Sequence, residues 1–350
     1  MADEQNGRFD LFLIGDTGSV ATGKPDAVLE MLHSHIQPNH LSAIIFLGDN
    51  IYPRGLPPKG HLLRKAAEAI LKAHHEALKD YPGKVLFIPG NHDWNKGRKD
   101  GYDYILRQEK YLEKLFDGKN IFLPSKGCPG PTEVSINDKL SIVLINTQWW
   151  MQKGVRPIGQ RYGCRAASED DFFTILEQIL EKNRNKRVVI AGHHPVYSYA
   201  IHGGRFKLKH HLFPLTIYDK DAYIPLPIIG SLLPLYRKFI GAEEDMAHPR
   251  YRNLRKQMKA IFSRYSNLIY ASGHEHNLQY ICKNNNHFII SGAGSKLKYV
   301  IQEGKYLEFG RKAKGFFKLV FQPDGSVYLS SWVVNHIRKE GELAYEKQIL

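Results

Sequence analysis

Five short segments of this chain could do chemistry together: Gly15-Asp16-Thr17-Gly18, Gly48-Asp49-Asn50-Ile51-Tyr52, Gly90-Asn91-His92-Asp93, Gly192-His193-His194 and Gly273-His274-Glu275-His276. They offer carboxylate, phenol, amide and imidazole groups in the order a two-metal phosphoesterase would use. Each alone is an ordinary turn sequence, but each follows an apolar run, and five such coincidences point to a site. Hydrolysing a phosphate ester near neutral pH needs a strong nucleophile and charge compensation. Two metal ions about 3.5 Å apart supply both through a bridging, metal-activated hydroxide. One carboxylate must bridge the pair, and Asp49, between motifs that can serve either ion, is the candidate. Asp16 would bind one ion only. Asn91 offers an amide oxygen to the other, and His193, His274 and His276 offer imidazole nitrogens, which suit iron, zinc and similar metals. On an extended segment His274 and His276 point the same way and Glu275 elsewhere. Among 17 histidines, His33, His35, His74-His75 and His210-His211 read as background.

Four further residues take supporting parts. Tyr52, three residues after Asp49, is either a rim aromatic or a phenolate ligand. A phenol with a pKa of about 10 stays deprotonated at ordinary pH only on a strongly acidic ion such as Fe(III). His92 sits beside Asn91 and cannot easily bind the same ion, so it reads as the imidazole that protonates the departing alkoxide, or as a structural hydrogen bond beneath the loop. His202 is a second proton donor or a phosphate contact. Asp93 braces the loop or orients a neighbouring histidine.

The elements that must position these residues alternate in type. Phe9 to Ile14, Ala43 to Leu47 and Val85 to Ile88 are β-rich apolar runs, and Pro25 to Ile36, Leu62 to Leu78 and Tyr102 to Phe116 have helical periodicity. Such alternation implies βαβ units and a parallel sheet, with the site beyond the carboxyl ends of the strands. Further strands are expected at Val134 to Ile136, Leu140 to Ile145, Arg187 to Ala191 and Leu268 to Ala271, and a helix at about Glu169 to Lys182. Antiparallel strands follow at Leu278 to Cys282, His287 to Ile290, Phe316 to Phe321 and Val327 to Val334. Residues 7–335 thus form one domain, 336–350 a C-terminal tail, and about 203–262 an insertion. The apolar run in that insertion, Tyr223 to Tyr236, is broken by three prolines and cannot form a long regular helix. It is a buried connection, a lid over the site, or a peripheral membrane or protein contact.

At 350 residues and 43% hydrophobic the chain can bury a large core, and no stretch approaches the roughly 18 apolar residues of a membrane span. The polar N-terminus lacks the apolar core of a signal peptide. A net charge of +14 favours anionic partners. A small phosphate ester fits, and no specific nucleic acid is expected. Three cysteines are too few for a disulfide scaffold or a zinc knuckle. Cys128 and Cys164 could pair across a loop-rich region, against the rarity of such pairs in intracellular chains.

Taken together these residues resemble the calcineurin-like metallophosphoesterases, and within them the purple acid phosphatases of the small, tartrate-resistant type. The likeness runs from about Phe9 to Val334. Gly15-Asp16-x-Gly18 stands in place of the usual Asp-x-His, and Tyr52 follows Gly48-Asp49. Ala191-Gly192-His193-x-Pro195-Val196-Tyr197-Ser198, Gly273-His274-x-His276-Asn277-Leu278-Gln279-Tyr280 and Ser291-Gly292-Ala293-Gly294 also match. The resemblance implies an α/β fold, a four-layer αββα sandwich of two mixed sheets with a dinuclear site at one edge. It implies Fe(III) on Asp16, Asp49, Tyr52 and His276, and a divalent iron, zinc or manganese on Asp49, Asn91, His193 and His274. His92 and His202 would be the acid and substrate-orienting histidines of a phosphomonoesterase that works by direct in-line attack. A phosphodiesterase or nucleotidase on the same centre is the alternative, and a non-catalytic basic binding module a more distant one. The chain departs from the pattern at His194, where an aromatic is usual, at Asn146, where an aspartate is common, and in the longer 203–262 segment. That longer form resembles bacterial versions in exported, envelope-associated proteins. Compartment stays open between periplasmic or envelope-associated, with the signal outside this stretch, and cytoplasmic.

Overall fold

The computed structural model describes residues 7–19, 26–37, 41–217, 221–227 and 229–350. Pro25, expected near the start of the first helix, and Ile228 of the insertion lie outside the described residues. The elements run β1 (Phe9–Ile14), α1 (Ala27–Ser34), β2 (Ser42–Phe46), α2 (Arg64–Ala77), β3 (Lys84–Phe87), α3 (Gly101–Leu115), β4 (Thr132–Ser135) and β5 (Leu140–Ile145). After these come α4 (Gln148–Met151), α5 (Glu169–Lys182), β6 (Arg187–Gly192), α6 (Leu208–Leu212), α7 (Leu232–Phe239) and α8 (Pro249–Phe262). The chain ends in β7 (Ile269–Ser272), β8 (Leu278–Lys283), β9 (Asn286–Ser291), β10 (Leu307–Arg311), β11 (Gly315–Phe321), β12 (Val327–Val333) and β13 (Glu342–Gln348).

Two mixed sheets result, a six-stranded one in the order β13-β12-β11-β1-β2-β3 and a seven-stranded one in the order β10-β8-β9-β7-β6-β5-β4. Side chains alternate across a strand, and this sorts the apolar runs into layers. From β1, Phe9, Leu11 and Leu13 enter the core between the sheets, while Phe12 and Ile14 pack against α1 and α2. From β5, Leu140, Ile142 and Leu144 enter the same central core, while Val143 and Ile145 meet α5 and α8 on the far side. Both faces of each sheet are covered, which is why these strands read as continuous apolar runs, and the result is the expected αββα sandwich.

Helix α5 shows how an outer layer attaches. Ser168 caps it by accepting from the Asp171 amide, Glu169, Asp170 and Asp171 complement its positive end, and Phe172, Ile175, Leu176, Ile179 and Leu180 form the buried stripe. Cys128 and Cys164 are joined in a disulfide, Cα atoms 5.5 Å apart, which ties the loop before β4 to the loop before α5. Two strands escape the sequence pattern. The segment read as a tail, 336–350, supplies β13, which pairs with β12 through Tyr328↔Gln348 and Ser330↔Glu346. Its Glu, Lys and Gln side chains face water, as an edge strand requires, so it lacks the apolar signal of a buried strand. β10 is likewise a short edge strand with a register shift.

Candidate metal centre

Strand ends deliver the donors. Asp16 follows β1, Asp49 lies three residues past β2, Asn91 four past β3, His193 directly follows β6 and His274 lies two past β7. Asp16, Asp49 and His274 have φ of 60°, 55° and 70°, a left-handed backbone that non-glycine residues rarely adopt. Such strain, of about 1–3 kcal/mol per residue, gathers at functional sites. The glycines beside them give the room: Gly48 has φ +90°, and a β-carbon there would stand 2.6 Å from His193 Nδ1.

The donors fall into two groups joined by one carboxylate. In the first, Tyr52 Oη lies 3.0 Å from Asp16 Oδ1, 3.1 Å from Asp49 Oδ2 and 3.1 Å from His276 Nε2. In the second, Asn91 Oδ1 lies 3.0 Å from His193 Nε2 and 3.3 Å from His274 Nδ1. Asp49 reaches both, since its Oδ1 is 3.5 Å from His193 Nε2. The imidazoles are oriented from behind: His193 Nδ1 donates to the Leu47 carbonyl at 2.8 Å, and His274 Nε2 donates to the Glu244 carbonyl at 2.9 Å. Each ring thereby turns a lone pair inward, the arrangement metal-binding histidines use.

Charge in this cluster is unbalanced. Asp16 and Asp49 are buried, and among the described residues no lysine or arginine forms an ion pair with either. Burial pushes the Asp16 carboxyl up to about 7, with His193 opposing. Burial also works against the Asp49 charge, but His92 and His193 hold that carboxyl below the usual range. The imidazoles shift the other way: burial, then Lys298, takes His276 down to about 3, and burial, then His193, takes His274 to about 4. Burial and the two aspartates push the Tyr52 phenol well above its ordinary value. Two buried carboxylates, a phenol, an amide oxygen and inward lone pairs form a donor set that cations would satisfy, so the residues fit the metal ions expected from the sequence. Asp16, Asp49 and His193 alone bring ligand atoms within 4.8 Å of one another.

Around the donors, His92 Nδ1 donates to the Pro53 carbonyl at 2.6 Å and Nε2 lies 3.8 Å from Asp49 Oδ2. Asp93 accepts from the Gly90 and Asn50 amides, the Asn50 side chain and Gln108, and so braces the loop. His202 packs at a tilt of 40° against His274, ring centroids 4.4 Å apart, with Nδ1 3.1 Å from Asp245 Oδ1. His194 is buried 4.5 Å from the His274 ring, holds Thr147 Oγ1 at 2.8 Å, and its Nε2 has no hydrogen-bond partner among the described residues. Asn146 turns away, its amide donating to the carbonyls of Gly127 and Cys128 beside the disulfide.

Two contributors were not anticipated from the sequence. Glu244, in the insertion, accepts from Asn91 Nδ2 at 3.0 Å besides supporting His274. His74, read as background, is wholly buried on α2 and bonds Thr17 Oγ1 at 2.7 Å, behind Asp16.

The sequence pattern of the family described as calcineurin-like phosphoesterase matches residues 9–278. The chain belongs to this family. Calcineurin-like phosphoesterases work with a dinuclear metal centre, and the His/Asp groups present here could bind metal. No curated protein sequence matches the chain. Among solved structures, the GAP50 anchor in the inner membrane complex of Plasmodium is similar with a TM-score of 0.58 at 16% identity, covering 97% of this chain and 88% of that one. Purple acid phosphatase PPD1 from yellow lupin (Lupinus luteus) seeds gives 0.56 at 11% identity, covering 98% of this chain and 53% of that one. The phosphoesterase chain thus spans about half the length of the lupin protein, and both likenesses are of fold.

Proposed function

We propose that this calcineurin-like phosphoesterase is a phosphomonoesterase of the purple acid phosphatase type. In this reading Asp16, Asp49, Tyr52 and His276 hold Fe(III), and Asp49, Asn91, His193 and His274 hold a divalent iron, zinc or manganese. The observation that carries it is the position of Asp49, with one oxygen 3.1 Å from the Tyr52 phenol and the other 3.5 Å from His193 Nε2. Two ions so bound supply charge compensation for the phosphoryl group and a water of lowered pKa. His92 is the proton carrier: with Nδ1–H committed to the Pro53 carbonyl, Nε2 faces the centre and can hand a proton to the leaving alkoxide. His202, fixed by Asp245 against the back of His274, orients the substrate from the insertion side. The Tyr52 phenol, within 3.1 Å of Asp16, Asp49 and His276, supports the subtype. The Cys128–Cys164 disulfide supports an oxidising, extracytoplasmic compartment.

Metal analysis with a visible spectrum tests the reading. A tyrosinate-to-Fe(III) band that vanishes in Tyr52→Phe is expected. Colourless protein carrying two zinc or manganese ions would overturn the purple subtype and leave the family. Hydrolysis of p-nitrophenyl phosphate should exceed that of its bis ester, and the opposite order would replace the monoesterase by a diesterase.

A further inference from the structure

The insertion carries a helix that is amphipathic the wrong way round for a core. On α7, Leu232, Leu235, Tyr236 and Phe239 stand at i, i+3, i+4 and i+7, one continuous face, yet they are 65%, 43%, 45% and 63% exposed. The charged Arg237 is instead turned inward, 5% exposed, its guanidinium held by Asp245. Leu208 and Leu212 of the neighbouring α6 extend the apolar surface. Soluble surfaces scatter such side chains singly, and a contiguous patch marks a contact.

Beside this face lies a cavity of about 520 Å³ lined by Arg205, Arg237, Lys238, Arg252, Arg255 and Lys283, with no acidic residue in its wall. Phe239 belongs to both surfaces, at the rim of the cavity and on the exposed stripe. Arg255 spends its hydrogen bonds on the carbonyls of Val196 and Met246, and Lys283 packs over the rings of Tyr197 and Tyr306. The crowding of positive charge is felt nearby, where burial, with Arg255 and Lys283, lowers the Lys259 ammonium to about 8.

We infer that α7 and this cavity form a docking surface for an anionic phospholipid bilayer, the exposed stripe entering the acyl boundary and the cavity receiving headgroup phosphates. The two features match the two layers of a membrane surface: apolar side chains for its interior and cations for its charged face. Helix α7, at 1.5 Å per residue about 12 Å long, suits lying in that plane, and no described helix is long and apolar enough to cross it. A protein partner would need a matching apolar groove lined by carboxylates, and the chain's charge of +14 disfavours a second copy of itself.

The test is co-sedimentation of the whole protein with vesicles of phosphatidylcholine alone and of equimolar phosphatidylcholine and phosphatidylglycerol. Binding to the mixed vesicles, weakened by salt and absent on the neutral ones, is expected. Leu235→Ser/Phe239→Ser and Lys238→Glu/Arg252→Glu should each weaken it by about tenfold or more, with unchanged thermal unfolding showing that both variants fold. No binding, equal binding to both vesicles, or binding indifferent to both variants would overturn the inference. So would self-association, read by light scattering, that the Leu235→Ser/Phe239→Ser change abolishes.

Discussion

Glu244→Ala removes a carboxylate that touches no proposed substrate or metal ion yet is bonded to a ligand. Its oxygen accepts from Asn91 Nδ2 at 3.0 Å, which turns Asn91 Oδ1 toward His193 and His274. Without it the amide can rotate and present NH2 in place of oxygen. The second contact survives, because His274 Nε2 is held by the Glu244 backbone carbonyl. A hydrogen bond to a charged acceptor contributes about 1.5–3 kcal/mol, and each 1.4 kcal/mol is about tenfold in affinity. The divalent ion should therefore bind about 10–100-fold more weakly, the size generally seen when an outer contact to a ligand is lost. Glu244→Gln keeps a neutral acceptor and should lose less than the alanine variant, about three- to tenfold. Competition against a graded series of chelators, followed by metal analysis of the protein, reads the effect. Unchanged affinity in the alanine variant, or equal losses in alanine and glutamine, would refute the reasoning and return Glu244 to the insertion's own packing.

Asp49→Asn should take phosphatase activity to background, since an amide cannot bridge two cations with two anionic oxygens; measurable turnover with both ions bound would contradict this. His92→Ala should cost about 10²–10⁴-fold on alkyl phosphates and far less on p-nitrophenyl phosphate, whose leaving group needs no proton; equal losses on both would remove the acid role. His74 gives a pH signature. Burial lowers it from 6.5 to about 4 in the folded state, so the unfolded chain binds the proton first as pH falls. Its contribution is complete above pH 6.5 and disappears toward pH 4, about 2–3 kcal/mol over that window. Denaturant titrations across it should show the parent losing that much more stability than His74→Gln, and parallel losses would exclude the assignment.

Much of the fold was legible because burial on both faces writes itself as uninterrupted apolar runs. β1 and β5 begin and end where the sequence places them, and so does α5, whose Ser168 cap and acidic first turn mark its start. The donors were legible for a related reason: ligands crowded at strand ends need left-handed turns or close backbone approach, and glycine beside Asp16, Asp49, Asn91 and His274 announces it. What the sequence concealed has no local signal. Glu244 acts through a fold that brings it to a residue 153 positions away, and nothing in Gly241-Ala242-Glu243-Glu244-Asp245 marks one carboxylate above its neighbours. His74 sits on a helix face beside His75, and only packing distinguishes the buried ring from the accessible one. β13 is hidden by the charges that keep an edge strand from recruiting another chain.

The centre also lies on a seam. Asp16, Asp49 and Asn91 come from strands of the six-stranded sheet, and His193, His274 and His276 from the ends of strands in the seven-stranded one. Ions held there would fasten two halves that otherwise meet through apolar contact and a few hydrogen bonds, such as the Gly15 amide to the Ser291 carbonyl at 2.7 Å, and would close chain segments as distant as Asp16 and His276. Affinity for metal becomes mechanical strength: saturation at a hundred times Kd adds about 2.7 kcal/mol against unfolding. Stripping the ions should therefore loosen the seam as well as silence the chemistry, with the left-handed turns at Asp16, Asp49 and His274 the first backbone to exchange its amide protons.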